Sequence, residues 1–138
     1  MMQAYIVDDR EVDRYTARRR LSKCGRFSAV HEAEDGRAFL EKLFKDVYPV
    51  GEKGPLVLMD ISMPYMDGFE TVDALRARMI KLGWPDNVVV VMVSSSSAAN
   101  DKARAADMPL VQGYFEKPIR SDDVDQMLRL MDGCPLPG

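Results

Sequence analysis

"VVVVMVSSSS", residues 88–97, sets six apolar residues directly against four serines. The apolar half does not alternate, so it reads as a strand buried on both faces rather than on one. A strand of that kind belongs to a parallel sheet with helices on either side. The serine half is the odder part. A chain leaving a buried strand usually turns on Gly, Asn, Asp or Pro, and this one spends four hydroxyls instead. A serine capping the next helix accounts for some of them.

Working outward, runs of strand length recur at 4–7 (AYIV), 28–33 (SAVHEA), 56–59 (LVLM) and 113–116 (GYFE). Helical stretches lie between them. Residues 10–24 are rich in Arg and end at Gly25, a good helix stop. Residues 36–44 carry Phe39, Leu40 and Leu43 on one face, and residues 68–82 carry Phe69, Val72 and Met79. Residues 98–107 are rich in Ala, and residues 121–131 repeat Val124, Met127, Leu128 and Met131 at i, i+3, i+4 and i+7. Five strands alternating with five helices imply an α/β fold with a doubly wound parallel sheet.

The 138 residues suit one domain, with a core from about 4 to 131 and a Pro-interrupted tail at 132–138. No output domain is expected. Hydrophobic residues are 46% and charged residues 30%, and the net charge is −3. That balance argues against nucleic acid or an anionic membrane as partner. No apolar run approaches the roughly 20 residues of a membrane span, and the N-terminus lacks a signal peptide's basic start, so a cytoplasmic protein is expected. Cys24 and Cys134 match no metal or disulfide spacing, and Cys24 reads as a small core residue. His31, the one histidine, reads as a packing or surface residue.

Ligands of open parallel sheets bind at the carboxyl ends of the strands. The first strand runs into Asp8 and Asp9, the third into Asp60, the fourth into Ser94, and the fifth into Lys117 and Pro118. The second offers only Glu32 and Glu34. Three carboxylates on one rim repel unless a cation sits among them. A hard divalent ion with oxygen ligands fits, and Mg²⁺ keeping several waters suits a site with few protein ligands. Lys117 and Ser94 suit a transferred anion, and a carboxylate can itself take a phosphoryl group. The constellation reads as an aspartyl-phosphate site.

"VDD" (7–9), "LMDISMPYMDG" (58–68), "MVS" (92–94) and "YFEKP" (114–118) together resemble the receiver domain of two-component response regulators, over roughly residues 4 to 131. The resemblance implies the strand order 2-1-3-4-5 of the flavodoxin-like receiver fold. It implies Asp60 as phospho-acceptor and a Mg²⁺ ion held directly by Asp9, Asp60 and the backbone carbonyl of Ser62, with Asp8 acting through water. It also implies that Ser94 and Lys117 contact the phosphoryl oxygens, that Tyr114 is a rotating switch aromatic, and that the Lys117-Pro118 bond is cis. The serine run then divides into Ser94, which the chemistry needs, the Ser95 backbone N–H facing the phosphoryl group, and Ser96 or Ser97 as a helix cap.

By that resemblance the chain is a single-domain response regulator with no enzymatic activity beyond self-directed phosphotransfer and autodephosphorylation. The implied donor is a histidine kinase or histidine phosphotransfer protein. The implied output is contact with a downstream protein, and a homodimer through the fourth helix, fifth strand and fifth helix is allowed. A phosphate sink, a relay intermediate and a phosphorylation-independent scaffold are the alternatives. A haloacid-dehalogenase-type phosphohydrolase would want a second acid where Ser62 stands. A flavodoxin would want a hydroxyl- and Gly-rich loop after the first strand. The "RYTARRR" run (14–20) reads as a solvated helix face or as a kinase-docking face. The long connections at 45–55, 81–87 and 106–114 depart from the family pattern and touch partner surfaces rather than chemistry.

Overall fold

The computed structural model describes residues 2–46, 54–95 and 99–133. Ser96, Ser97, Cys134 and most of the 45–55 connection lie outside them. In chain order the elements are β1 (Met2–Val7), α1 (Glu11–Lys23), β2 (Phe27–Ala33), α2 (Gly36–Asp46), β3 (Leu56–Asp60), α3 (Gly68–Leu82), β4 (Val89–Ser94), α4 (Ala99–Ala106), β5 (Val111–Glu116) and α5 (Ser121–Met131). All strand pairs are parallel, in the order β2-β1-β3-β4-β5.

That order explains the texture of the sequence. The three unbroken apolar runs are the interior strands β1, β3 and β4, and every residue of β3 and β4 is buried. The edge strands β2 and β5 are mostly half-exposed and carry the polar residues. Within each interior run the side chains still alternate between faces, because successive residues of a strand point opposite ways. Tyr5, Val7, Val57, Met59, Val90 and Met92 pack with Phe39, Leu43, Phe69, Val72, Leu75 and Met79 of α2 and α3. Ala4, Ile6, Leu56, Leu58, Val91 and Val93 pack with Ala17, Leu21, Val124, Met127 and Leu130 of α1 and α5. Two apolar cores thus sandwich the sheet. Burial of that kind is the main favourable contribution to folding, at roughly 25 cal/mol per Å² of apolar surface.

Helix ends follow local chemistry. Asp35 caps α2 by accepting from the Ala38 N–H at 2.7 Å. Asp67 and Glu70 form a reciprocal capping box at the start of α3, and Gly83 stops it in the left-handed region at φ 69°. At α1 the helix ends at Lys23, with Cys24 half-buried against the α1–α5 core and its thiol donating to the Leu21 carbonyl at 3.0 Å. His31 packs as read, its ring stacked on Tyr5 with centroids 4.6 Å apart.

Gly68 sets the position of the β3–α3 loop. Its N–H donates to the Ile61 carbonyl at 2.8 Å, and a Cβ there would press into the Asp60 carbonyl oxygen. Ala is the better helix former, so on propensity alone Gly68→Ala would stabilise. The clash should win, with a loss of about 1–3 kcal/mol, the usual range for overpacking. Urea unfolding followed by circular dichroism checks this. An unchanged or raised midpoint would show that the loop yields.

Candidate functional site

Strand register brings the acids together. Val7 pairs with Met59, so Asp8 and Asp60 leave adjacent strands side by side. Asp8 continues the alternation of Ala4 and Ile6, and Asp60 that of Leu56 and Leu58, which is the side of the sheet covered by α1 and α5. Asp9 follows Asp8 and is exposed, whereas Asp8 and Asp60 are buried. One carboxylate oxygen from each of Asp8, Asp9 and Asp60 falls within 4.8 Å of the others. A hard cation accepts such an all-oxygen donor set, so the residues present fit Mg²⁺.

Lys117 reaches this cluster from the end of β5. Its Nζ lies 2.6 Å from Asp8 Oδ2, 2.9 Å from Asp13 Oδ2 and 3.2 Å from Asp60 Oδ1. The peptide bond from Lys117 to Pro118 is cis. The Lys117 N–H donates to the Ser94 carbonyl at 2.8 Å, which fastens the end of β4 to the lysine. Ser94 is buried and Ser62 is exposed on the loop after β3. Tyr114 is half-buried on β5, paired with Met92 of β4, and the Lys102 ammonium sits 5.7 Å from its ring centroid.

The sequence reading left out Asp13. It stands in the first turn of α1, where acids are common for the sake of the helix dipole, so nothing in its local context singles it out. The available signal is spacing, since it lies four residues beyond Asp9. The reading also offered Glu32 to the rim. The structure commits Glu32 to Arg14 at 3.3 Å and Arg18 at 3.0 Å. Arg14 in turn donates to the Asp8 carbonyl at 2.8 Å and so braces the turn that carries the acid pair. Two arginines of the "RYTARRR" run are therefore engaged rather than merely solvated.

Burial pushes the Asp60 carboxyl up to about 6, the Asp8 carboxylate adds to the rise, and Lys117 opposes it. For Lys117, burial alone would lower the ammonium, but hydrogen bonds to Asp8 and Asp13 and the charge of Asp60 outweigh it and the net direction is upward.

The response regulator receiver domain model matches residues 4–129. The chain belongs to the receiver domain family. It is 33% identical over 101 residues to a two-component response regulator from Oryza sativa subsp. japonica, covering 73% of this chain and 72% of that one. It is 32% identical over 117 residues to hybrid signal transduction histidine kinase E of Dictyostelium discoideum, covering 84% of this chain but spanning only 6% of that protein's length. Among solved structures, a two-component response regulator from Cytophaga hutchinsonii superposes with a TM-score of 0.84 at 21% identity, over 96% of this chain and 98% of that one. That likeness establishes the fold. As for membranes, no helix among the described residues is long and apolar enough to cross one.

The raised Asp60 carboxyl has a stability consequence. An unfolded Asp titrates near 3.8 and the native receiver's Asp60 near 6. The native state therefore holds the proton to higher pH than the unfolded one. The stability this confers is full below about 3.8 and lost as pH rises through about 6. Asp60→Asn, which stays neutral, should stabilise the protein in EDTA at pH 7 by up to about 3 kcal/mol, and the gain should shrink towards zero at pH 4. Urea titrations of both proteins at the two pH values measure it. A mutant less stable than wild type at pH 7 would show that Lys117 gains more from the Asp60 charge than burial costs.

Proposed function

We propose that this receiver domain accepts a phosphoryl group on Asp60, with Mg²⁺ bound, from a histidine kinase or histidine phosphotransfer protein. The observation that carries the reading is the Asp60 carboxylate at the end of β3. It is buried, lies 3.2 Å from the Lys117 ammonium, and shares a 4.8 Å cluster with Asp8 and Asp9.

A carboxylate oxygen of Asp60 attacks the phosphorus of the donor phosphohistidine. The O–P bond forms as the P–N bond breaks, and the imidazole leaves with the electron pair and picks up a proton. Asp9, Asp60 and the Ser62 carbonyl would hold the ion directly, and Asp8 would hold it through water. When bound, the ion supplies positive charge that offsets the carboxylates and the phosphoryl oxygens. The division between the two neighbouring acids has support in their surroundings. Asp8 already accepts from the Arg10 N–H at 2.9 Å and pairs with Lys117 at 2.6 Å. The Asp9 side chain has no partner among the described residues and is free to ligate.

Once transferred, the phosphoryl group brings about −1.5 to −2 charge. Lys117 pairs with that charge and the Ser94 hydroxyl donates to it. Tyr114 then turns inward, and the face made by α4, β5 and α5 changes shape for a downstream protein or a second copy. The receiver acts in the cytoplasm, and its output is protein contact.

Incubation with acetyl phosphate and Mg²⁺, followed by intact mass, should add one phosphoryl group to wild type and none to Asp60→Asn. EDTA should abolish the label, and Asp9→Ala should lose it more completely than Asp8→Ala. Equal labelling of Asp60→Asn would remove the acceptor assignment.

The switch has its own check. Ser94→Ala should still take the label while partner affinity responds less to it, since a ligand shifts two states only through differential affinity. In fluorotyrosine-labelled protein the Tyr114 fluorine resonance should move when beryllofluoride and Mg²⁺ are added. A resonance that stays put under full beryllofluoride binding would mean that output runs through another element.

A further inference from the structure

We propose that Asp13 is a positioning residue that anchors Lys117 from α1, so that the ammonium stays aimed at the acceptor while Asp60 reacts. The inference rests on the phospho-acceptor reading above.

A lysine ammonium carries three N–H donors and no acceptor. Here each donor has a taker, Asp8 at 2.6 Å, Asp13 at 2.9 Å and Asp60 at 3.2 Å. The three takers are not equivalent. Asp60 is the reacting group, and its oxygen near Lys117 gives way to phosphoryl oxygens when the O–P bond forms. Asp8 shares its charge with the cation site and is held by the Arg10 N–H at 2.9 Å. Asp13 alone has no part in holding the ion or the phosphoryl group. It comes from another element, the third residue of α1. It is therefore the partner that need not change when the other two do.

The alternative is an incidental surface ion pair, which contributes little. The surroundings argue otherwise. The Lys117 side chain is 11% exposed and that of Asp13 27%, so the pair is screened by protein more than by water. Lys117 also needs an anchor more than an arginine would, because a compact charge on a four-carbon stem has no planar fork to fix its direction. With Asp13 gone, the third donor loses its taker and the stem gains freedom to swing out of line.

The test is time-resolved labelling of the full chain by acetyl phosphate at saturating Mg²⁺, over a range of acetyl phosphate concentrations. Asp13→Ala should lower the saturating rate about tenfold, the scale of one hydrogen bond to a charged group, with a smaller change in the half-saturating concentration. Asp13→Asn keeps an oxygen that accepts from the ammonium and should recover most of the rate. In the same Asp13→Asn protein the nitrogen-15 resonance of the Lys117 ammonium should shift, a readout that survives even if Asp13→Ala does not fold. An Asp13→Ala protein that labels at the wild-type rate overturns the proposal, as does an unmoved Lys117 resonance or an Asp13→Asn rate as low as that of Asp13→Ala. If wild type itself takes no label, the acceptor reading falls and this proposal with it. If wild type labels and Asp13→Ala matches it, only the Asp13 assignment falls.

Discussion

Like charges gathered at the ends of neighbouring parallel strands are the constraint around which this molecule is arranged. Asp8 and Asp60 leave β1 and β3 side by side and buried, with Asp9 at their edge. Packing carboxylates so closely costs free energy, and burial adds to the cost. Lys117 relieves part of it, but not all, since Asp60 still titrates near 6 rather than 3.8. A site left under-compensated in this way favours any cation or cationic partner that completes it. The fit of this donor set to a divalent ion and the cost of packing it have one physical source.

Such a site needs a framework that does not yield. The interior strands provide it by burying both faces, with α2 and α3 on one side and α1 and α5 on the other. The parity of the strands then decides who meets whom. Asp8 and Asp60 continue the residues that face α1 and α5, so it is α1 that can bring Asp13 to the lysine and the β5–α5 connection that brings Lys117. Ser94 continues the opposite series of Val90 and Met92. The hydroxyl assigned to the phosphoryl group thus comes up from the other side of the sheet.

The same parity explains what the sequence disclosed and what it withheld. Strands and helices were legible because "VVVVMV" and "LVLM" leave no polar gap and because Val124, Met127, Leu128 and Met131 recur at helical spacing. The rim acids were legible because a strand running into Asp is conspicuous. Strand order was not legible from pattern, since every interior strand looks alike, and it came from the resemblance of the motifs. Asp13 was hidden because its role depends on a lysine 104 residues away in the chain. Glu32, left out of the three rim carboxylates, stays apart for a structural reason. It lies one residue short of the end of β2, an edge strand, and pairs there with Arg14 and Arg18 of α1.

The lysine joins the acids to several other elements. Its side chain touches the turn after β1, α1 and the end of β3 through Asp8, Asp13 and Asp60. Its backbone N–H holds the Ser94 carbonyl at the end of β4. Tyr114, three residues earlier on β5, pairs with Met92 of β4 and meets Lys102 of α4 across its ring. A change of charge at Asp60 therefore acts on a residue already joined to the strand end that carries Ser94 and to the strand that carries Tyr114. The residue that pairs with the acids also ties β4 to the end of β5. The reach of that tie ends at α4, whose Lys102 also lies 3.9 Å from Glu116. The surface that these contacts reach lies on α4 and β5, where Tyr114, Lys102 and Glu116 stand together.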